Sequence, residues 1–441
     1  MDSQENCTRY GFILLITKFL FIFIIIWNLT TYCILENDYN NNESYEINSN
    51  NSDMLVNQKY CGSNECRFLF AHRIPEQESQ ANSHFYSFIQ LAEMLNRTMV
   101  LVNVQNSRIG ACLELPYDFY YNVQELKKLF PNVNFITQDD FLSWTKERHE
   151  KPDVVFRRIQ QGGEPNTIIS DVSPQEWDNV INNQCLEEFD FKFDDQDVSL
   201  YKKLLIGPKK YWRKYNEAMT KFIVSNLEHI NEEVLLIHPY EVGGAYFPSK
   251  GEVIPLPYAT HLIEAAKNVS SHLKPYIGIH WRQETINSSV LPNCAEGLIK
   301  YIKELQLKTG IENIYYATDY PLYNGGENAQ SSTFHILTRE HHETMRMLNS
   351  TFTLKTWVSL KALDGLYDIL PQFKDYITKE LSGSGLAGIL DKLVLVDADY
   401  FIIGPRGCAR TSSNFTKKIY LARKLLMESG NKDIHNDIDH W

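Results

Sequence analysis

The triple His280-Trp281-Arg282 ends the apolar run YIGIHW (Tyr276–Trp281) and is the sharpest chemical signal in the chain. Residues two apart on a strand point to the same side, so His280 and Arg282 can converge on one ligand. Arginine suits a phosphate because its planar fork binds bidentately and keeps its charge. The same spacing also fits Arg282 paired with a carboxylate and His280 satisfied in a core. A second signal is Asp319, closing IYYATD (Ile314–Asp319). An aspartate leaving a parallel strand serves a ribose hydroxyl or a base edge, or caps the helix that follows. A third is Phe401-Ile402-Ile403-Gly404 followed by Thr411-Ser412-Ser413-Asn414. Hydroxyls and N–H groups at a helix N-terminus cradle phosphate. Plain capping explains one of those hydroxyls but not the run. The fourth is the loop Arg73–Gln80 (RIPEQESQ), with Glu76 and Glu78 where a nucleotide-binding domain presents its ligand face.

One pattern competes. Val394–Asp399 reads VLVDAD, and two carboxylates after an apolar strand suit a hard cation. Asp397 and Asp399 would then serve a metal-dependent sugar-nucleotide transferase. The tail beyond Asp399 is too short for the acceptor half that such a fold places after its metal. The acidic run Asp194–Asp197 reads as a solvated loop.

These residues need strands to end on. Arg67–Ala71, Met99–Val104, Val154–Arg158 and Val234–Pro239 read as strands, with helices over Ser83–Asn96 and Pro208–Ile230. After the Pro- and Gly-rich passage Val242–Pro257 the pattern restarts. It runs through YIGIHW, the helix Ala295–Thr309, the strand IYYATD, one or two strands in KLVLVDADYFIIG, and a last helix over Asn414–Ser429. Strands alternating with helices predict parallel, doubly wound sheets. The expected fold is α/β: two Rossmann-like domains facing across a cleft, an acceptor-side domain over 59–245 and a donor-side domain over 246–441. Ligand belongs at the carboxyl ends of the strands.

The chain has 441 residues, more than one ordinary core sustains. With 43 Lys+Arg against 55 Asp+Glu its net charge is −12, which argues against nucleic acid as a partner. Mean hydropathy is −0.33, which excludes a multi-spanning membrane protein. One apolar segment departs from that average. Residues 10–35, including GFILLITKFLFIFIIIW, approach the length that crosses a bilayer. No small-x-small cleavage site follows, so an uncleaved anchor is expected. Arg9 precedes the run and Glu36, Asp38 and Glu43 follow it. That places a cytosolic tail at 1–9 and the body in the lumen of the endoplasmic reticulum or Golgi. Residues 36–58, rich in Asn and acid, read as a flexible stem. Cys61, Cys66, Cys112, Cys185, Cys294 and Cys408 follow. Their even number suits an oxidising compartment, with about 15 possible pairings. No C-x-x-C pair suggests structural zinc. Sequons stand at Asn42, Asn50, Asn96, Asn268, Asn287, Asn349 and Asn414.

Taken together, the motifs resemble the GDP-fucose-dependent fucosyltransferase superfamily, most of all the protein O-fucosyltransferases. The carrying residues are Leu95-Asn96-Arg97-Thr98, His280-x-Arg282, Ala317-Thr318-Asp319, and Phe401-Ile-Ile-Gly404 with Ser412-Ser413-Asn414-Phe415. Their order and spacing match over nearly the whole lumenal region. The resemblance implies a GT-B-like fold, GDP-fucose as donor, inversion at the anomeric carbon, and no metal or other cofactor. It implies that Arg282 holds the β-phosphate, that His280 contacts the donor beside it, and that Asp319 meets the guanine or ribose. Ser412, Ser413 and Asn414 would line the pyrophosphate. The Glu76–Gln80 loop would touch donor and acceptor, Gln80 on the donor side and Glu78, ahead of Glu76, as general base. Many relatives continue H-x-R as H-x-R-R-G-D, whereas this chain has Gln283-Glu284-Thr285. The acceptor, a protein or a glycan, stays open. Beside the fucosyltransferase stand two other readings: the metal-dependent transferase of Asp397 and Asp399, and a non-catalytic glycan-binding ectodomain.

Overall fold

The computed structural model describes residues 49–441 apart from 171–172, 174, 176–183, 192–199, 213, 238–246, 252, 285, 322–333, 335, 358, 361–365, 368–369, 372–373, 382–384, 410–412, 431–432 and 439–441. The expected tail at 1–9, the anchor at 10–35, stem residues 36–48, and the boundary at 245/246 lie outside the described residues; the end of the expected flexible stem, 49–58, is instead helical, within Ser49–Cys61. Among the described residues no helix is long and apolar enough to cross a membrane. The chain divides into two compact units, Met1–Leu55 and Val56–Trp441, and among the described residues every strand belongs to the second.

Two parallel sheets succeed each other along that second unit. The first contains β1 (Phe68–Ala71), β3 (Thr98–Leu101), β6 (Phe135–Thr137), β7 (Val154–Gln160), β8 (Gly162–Ile169), β9 (Tyr201–Gly207) and β10 (Val234–Ile237), in the order β6-β3-β1-β10-β7-β9-β8. All its pairings are parallel except β8 on β9. The small strands β2 (Arg73–Ile74), β4 (Val104–Gln105) and β5 (Arg108–Gly110) form a separate antiparallel sheet. The second large sheet is wholly parallel: β11 (Tyr276–Trp281), β12 (Asn313–Thr318), β13 (Leu354–Lys355), β14 (Tyr400–Ile403) and β15 (His435–Ile438), in the order β13-β12-β11-β14-β15. This is the α/β architecture that the alternation predicts, and it fits a GT-B-like fold. The inner strands FLFA and YIGIHW are buried at every position, as strands covered on both faces must be.

Register sets up the site. β11 aligns His280 with Ala317 of β12 and with Ile403 of β14, so all three strands end at one level. Gly278 allows the Gly385–Asp397 helix to lie directly on β11. A Cβ there would stand 2.8 Å from the Ala398 Cβ and 2.9 Å from a Leu395 methyl.

Three further expectations are corrected. The helix expected over Ser83–Asn96 starts at Glu78, with Gln77 as its extended N-cap, so Glu78 belongs to a helix turn rather than a loop. The stretch Pro208–Ile230 is broken into the helices Lys209–Trp212 and Glu217–Leu227, because the Asn216 side chain caps the second by accepting from the Met219 N–H (3.2 Å). Most important, VLVDAD is not a strand. Gly385–Asp397 is a helix, buried on so many sides that its apolar run imitates a core strand.

Buried arginines tie the sheets to their connections. Arg97, in the LNRT motif, donates to the backbone carbonyls of Phe68 (3.2 Å), Ile230 (2.7 Å), Glu232 (3.1 Å) and Glu233 (3.4 Å). Arg423 does likewise toward Val396 (2.8 Å) and His435 (2.9 Å), among others.

Candidate functional site

The carboxyl ends of β11, β12 and β14 bring most of the sequence-predicted residues together. His280, near the end of β11, is buried, and its Nδ1 lies 2.8 Å from the Thr416 hydroxyl. Its ring stacks on Phe415, with centroids 4.6 Å apart. Burial, and secondarily the Arg282 charge, lowers its pKa from 6.5 to about 3, so the imidazole is neutral. Thr416 and Phe415 lie in the first turn of the Asn414–Glu428 helix, which joins the third motif to the first.

Arg282 follows β11 directly. Its guanidinium pairs with Glu284, and its Nε is 4.0 Å from Asp319 Oδ2. Asp319 accepts the backbone N–H groups of Gln283 (2.8 Å) and Glu284 (3.0 Å). It therefore orders the turn that carries Arg282, a role the sequence did not suggest for it. Burial outweighs those hydrogen bonds and raises its pKa to about 6. Gln283, the residue after Arg282, turns into the core and donates to Tyr316 Oη (3.3 Å).

Ser412 lies outside the described residues. Ser413 is the N-cap of the Asn414–Glu428 helix, its Oγ accepting from the Thr416 N–H at 3.4 Å. Asn414 donates its side-chain amide to Gln80 Oε1, so the first turn of the Glu78–Met94 helix meets the first turn of the last helix. The disulfide Cys294–Cys408 fastens the segment after β14, and Trp281 donates its indole N–H to the Cys408 carbonyl (2.7 Å). A second disulfide joins Cys61 and Cys66.

Glu78 is 4% exposed and held on both oxygens. Oε2 pairs with Lys392; Oε1 accepts from the hydroxyls of Tyr258 (2.8 Å) and Tyr121 (3.3 Å). Glu76 is half-buried, and among the described residues no hydrogen bond or ion pair holds it. The carboxylate with accessible lone pairs is thus Glu76. Lys392, Tyr258, Glu284 and Thr416 were missed from sequence. Lys392 left a trace, as a cation beside Asp391 in the largely apolar GILDKLVLV; Thr416 lies in the predicted last helix, but no local spacing pairs it with His280.

Asp397 and Asp399 lie elsewhere. Asp397 pairs with Lys274 (3.0 Å), and Asp399 Oδ2 accepts from the Tyr276 N–H (2.8 Å) at the amino end of β11. They are at the opposite end of the strands from His280, and each already has a partner. Among the described residues no cluster of three or more metal-ligating side chains is found.

No family model and no curated protein matches this chain. Among solved structures it is similar to POFUT1 in complex with GDP, at a TM-score of 0.47 and 13% identity, covering 85% of this chain and 99% of that one. It is similar to POFUT1 in complex with GDP-fucose at a TM-score of 0.46 and 14% identity, over 85% and 99% of the two chains. It is also similar to the fucosyltransferase NodZ from Bradyrhizobium, at a TM-score of 0.34 and 12% identity, over 81% and 92%.

Proposed function

We propose that the chain is a fucosyltransferase that moves fucose from GDP-fucose to a hydroxyl of a protein or glycan, with inversion and without a metal. The observation that carries this reading is the convergence of His280, Arg282 and the capped N-terminus of the Asn414–Glu428 helix at the carboxyl ends of β11, β12 and β14. A guanidinium and a helix N-terminus are a matched pair for a diphosphate. Asp319 supports them from behind, by ordering the turn between Arg282 and Glu284.

In the transfer the bond from the anomeric carbon to the diphosphate oxygen breaks as the bond to the acceptor oxygen forms on the opposite face. Negative charge grows on the departing GDP, where Arg282 and the helix N-terminus stabilise it. His280, neutral and fixed by Thr416 and Phe415, offers a ring nitrogen to the donor without adding charge. Glu76 takes the acceptor proton, a contribution of about 10²–10⁴-fold. The body works in the lumen of the secretory pathway, held to the membrane by residues 10–35.

The second reading, binding without turnover, is favoured by one observation: Glu284 already grips Arg282. One assay separates them. The full-length chain is incubated with GDP-fucose, GDP-mannose and UDP-sugars, and nucleotide release is followed with and without EDTA. Release from GDP-fucose alone, unaffected by EDTA, supports transfer. GDP binding with no release supports the non-catalytic reading, and EDTA-sensitive release from a UDP-sugar defeats both.

A further inference from the structure

Lys392 is a buried lysine on the Gly385–Asp397 helix, and burial lowers its pKa. A cation in such a place is tolerated only when paired and hydrogen-bonded. Two of its three partners come from the first half of the molecule. It pairs with Glu78 and donates to the hydroxyls of Ser79 (3.3 Å) and Tyr258 (2.6 Å). On its other side it lies 5.7 Å from the centre of the Phe415 ring, the ring that stacks on His280. A second buried carboxylate makes a reciprocal tie. Glu380, on the Lys374–Leu381 helix, accepts the Asn106 N–H and the Tyr120 O–H. The two ties are joined, since Tyr120 Oη accepts from the Ser107 N–H (3.4 Å) and Ser107 Oγ accepts from the Glu78 N–H (3.2 Å). Gly385 sits in this seam. A Cβ there would stand 2.8 Å from both the Ser107 nitrogen and the Tyr120 hydroxyl.

We propose that the Glu78–Lys392 pair is a brace that fixes the Glu76 loop against the His280–Phe415 wall, with Lys392 as a positioning residue for the transfer. The proposal rests on the fucosyl-transfer reading and deepens it. Glu76 stands two residues before Glu78, whereas the predicted phosphate-binding groups all belong to the second half. Loosening the brace moves the base away from the anomeric carbon and leaves the GDP-binding groups in place. Displacements of about 1 Å cost on the order of 10²-fold in rate. Glu78 itself is then part of the brace and not the base.

The test uses the full-length chain and three measurements: GDP affinity by calorimetry, turnover of GDP-fucose with water as acceptor, and hydrogen exchange of backbone amides by mass spectrometry. Lys392→Met is expected to lower kcat by about 10²-fold while GDP affinity stays within about threefold. Exchange should quicken in the first turn of the Glu78–Met94 helix and stay unchanged in that of the Asn414–Glu428 helix. Lys392→Arg, which keeps the pair, is expected to recover most of both. Glu78→Gln is expected to lower kcat yet keep the acid limb of the pH–rate profile, whereas Glu76→Gln flattens it. If Lys392→Met does not fold, Lys392→Arg and Glu78→Gln decide alone. Wild-type kcat and unchanged exchange in Lys392→Met, or an acid limb flattened by Glu78→Gln, overturns the brace. A wild-type chain that neither binds GDP nor releases it defeats the fucosyl-transfer reading instead, while the exchange data still judge the brace.

Discussion

Arg97 and Arg282 flank inner parallel strands of the two sheets, one just before β3 and the other just after β11. Both are largely withdrawn from solvent, yet they meet opposite surroundings. Arg97 is surrounded by backbone carbonyls of Phe68, Ile230, Glu232 and Glu233. Arg282 meets the carboxylates of Glu284 and Asp319. A carbonyl built into the backbone cannot give way to a ligand without unfolding the sheet. An arginine held by acidic side chains at the carboxyl ends of strands is instead where an anionic ligand binds in such folds. The end of the strand, and the kind of oxygen met there, separates a strut from a binding group. Both belong to motifs that carry the family resemblance, and the structure gives them different work.

The comparison is broken most directly at Arg282. Arg282→Ala is expected to lower turnover of GDP-fucose by about 10³-fold or more, roughly 4 kcal/mol of transition-state stabilisation. The circular dichroism spectrum and melting temperature should change little. A variant that keeps a tenth of wild-type turnover would remove Arg282 from the mechanism and collapse the distinction.

Arg97→Met should give the reverse signature. Buried carbonyls lose their donor at a cost of about 3 kcal/mol of folding stability, while kcat per folded molecule stays near wild type. Urea unfolding followed by fluorescence measures the first, and active-site titration with GDP normalises the second. A loss of kcat without a loss of stability would mean that the LNRT segment reaches the site.

How much of this was legible in the sequence depends on the same physics. YIGIHW and IYYATD announce themselves because continuous apolar runs bounded by polar residues leave few alternatives, and the structure ends them where the sequence does, within a residue. The site residues on them were legible for that reason. VLVDAD was misread because a helix buried on most sides has lost its amphipathic period. With it went the position of Lys392, whose partner Glu78 lies 314 residues away in sequence. Asp319 was singled out, but its hold on the turn after β11 was not foreseen. That it accepts two N–H groups of the turn after β11 depends on how β11 and β12 are paired, and no local pattern records pairing.

Gly278 tests the strand that carries His280. A methyl group there would meet the Ala398 and Leu395 side chains at 2.8 and 2.9 Å, closer than packed carbons approach. Gly278→Ala is expected to cost about 2 kcal/mol by overpacking, measured by thermal unfolding. Because the Gly385–Asp397 helix moves, some loss of turnover should accompany it. A neutral effect would show that the helix slides without consequence, which also weakens the brace.

The smallest expected effect concerns protonation of His280. Its folded pKa is about 3 against 6.5 in the unfolded chain. Below pH 6.5 the unfolded state therefore binds a proton that the native state refuses, and stability falls as pH falls. His72, with a pKa of about 4, and His84, at about 3, act in the same direction. Asp319 acts oppositely. Its folded pKa of about 6 lies above 3.8, so the native state takes up its proton first and gains stability as pH falls through that window. These three groups are common to wild type and a His280→Gln variant and cancel in the comparison. Between pH 7 and pH 6 the wild type should lose about 0.7 kcal/mol more than the variant, measured by urea unfolding at both pH values. Equal losses would mean that His280 takes up a proton in the native state, next to Arg282. It would then be a cation at the site, and the contrast with Arg97 would extend to a second positive charge facing the ligand.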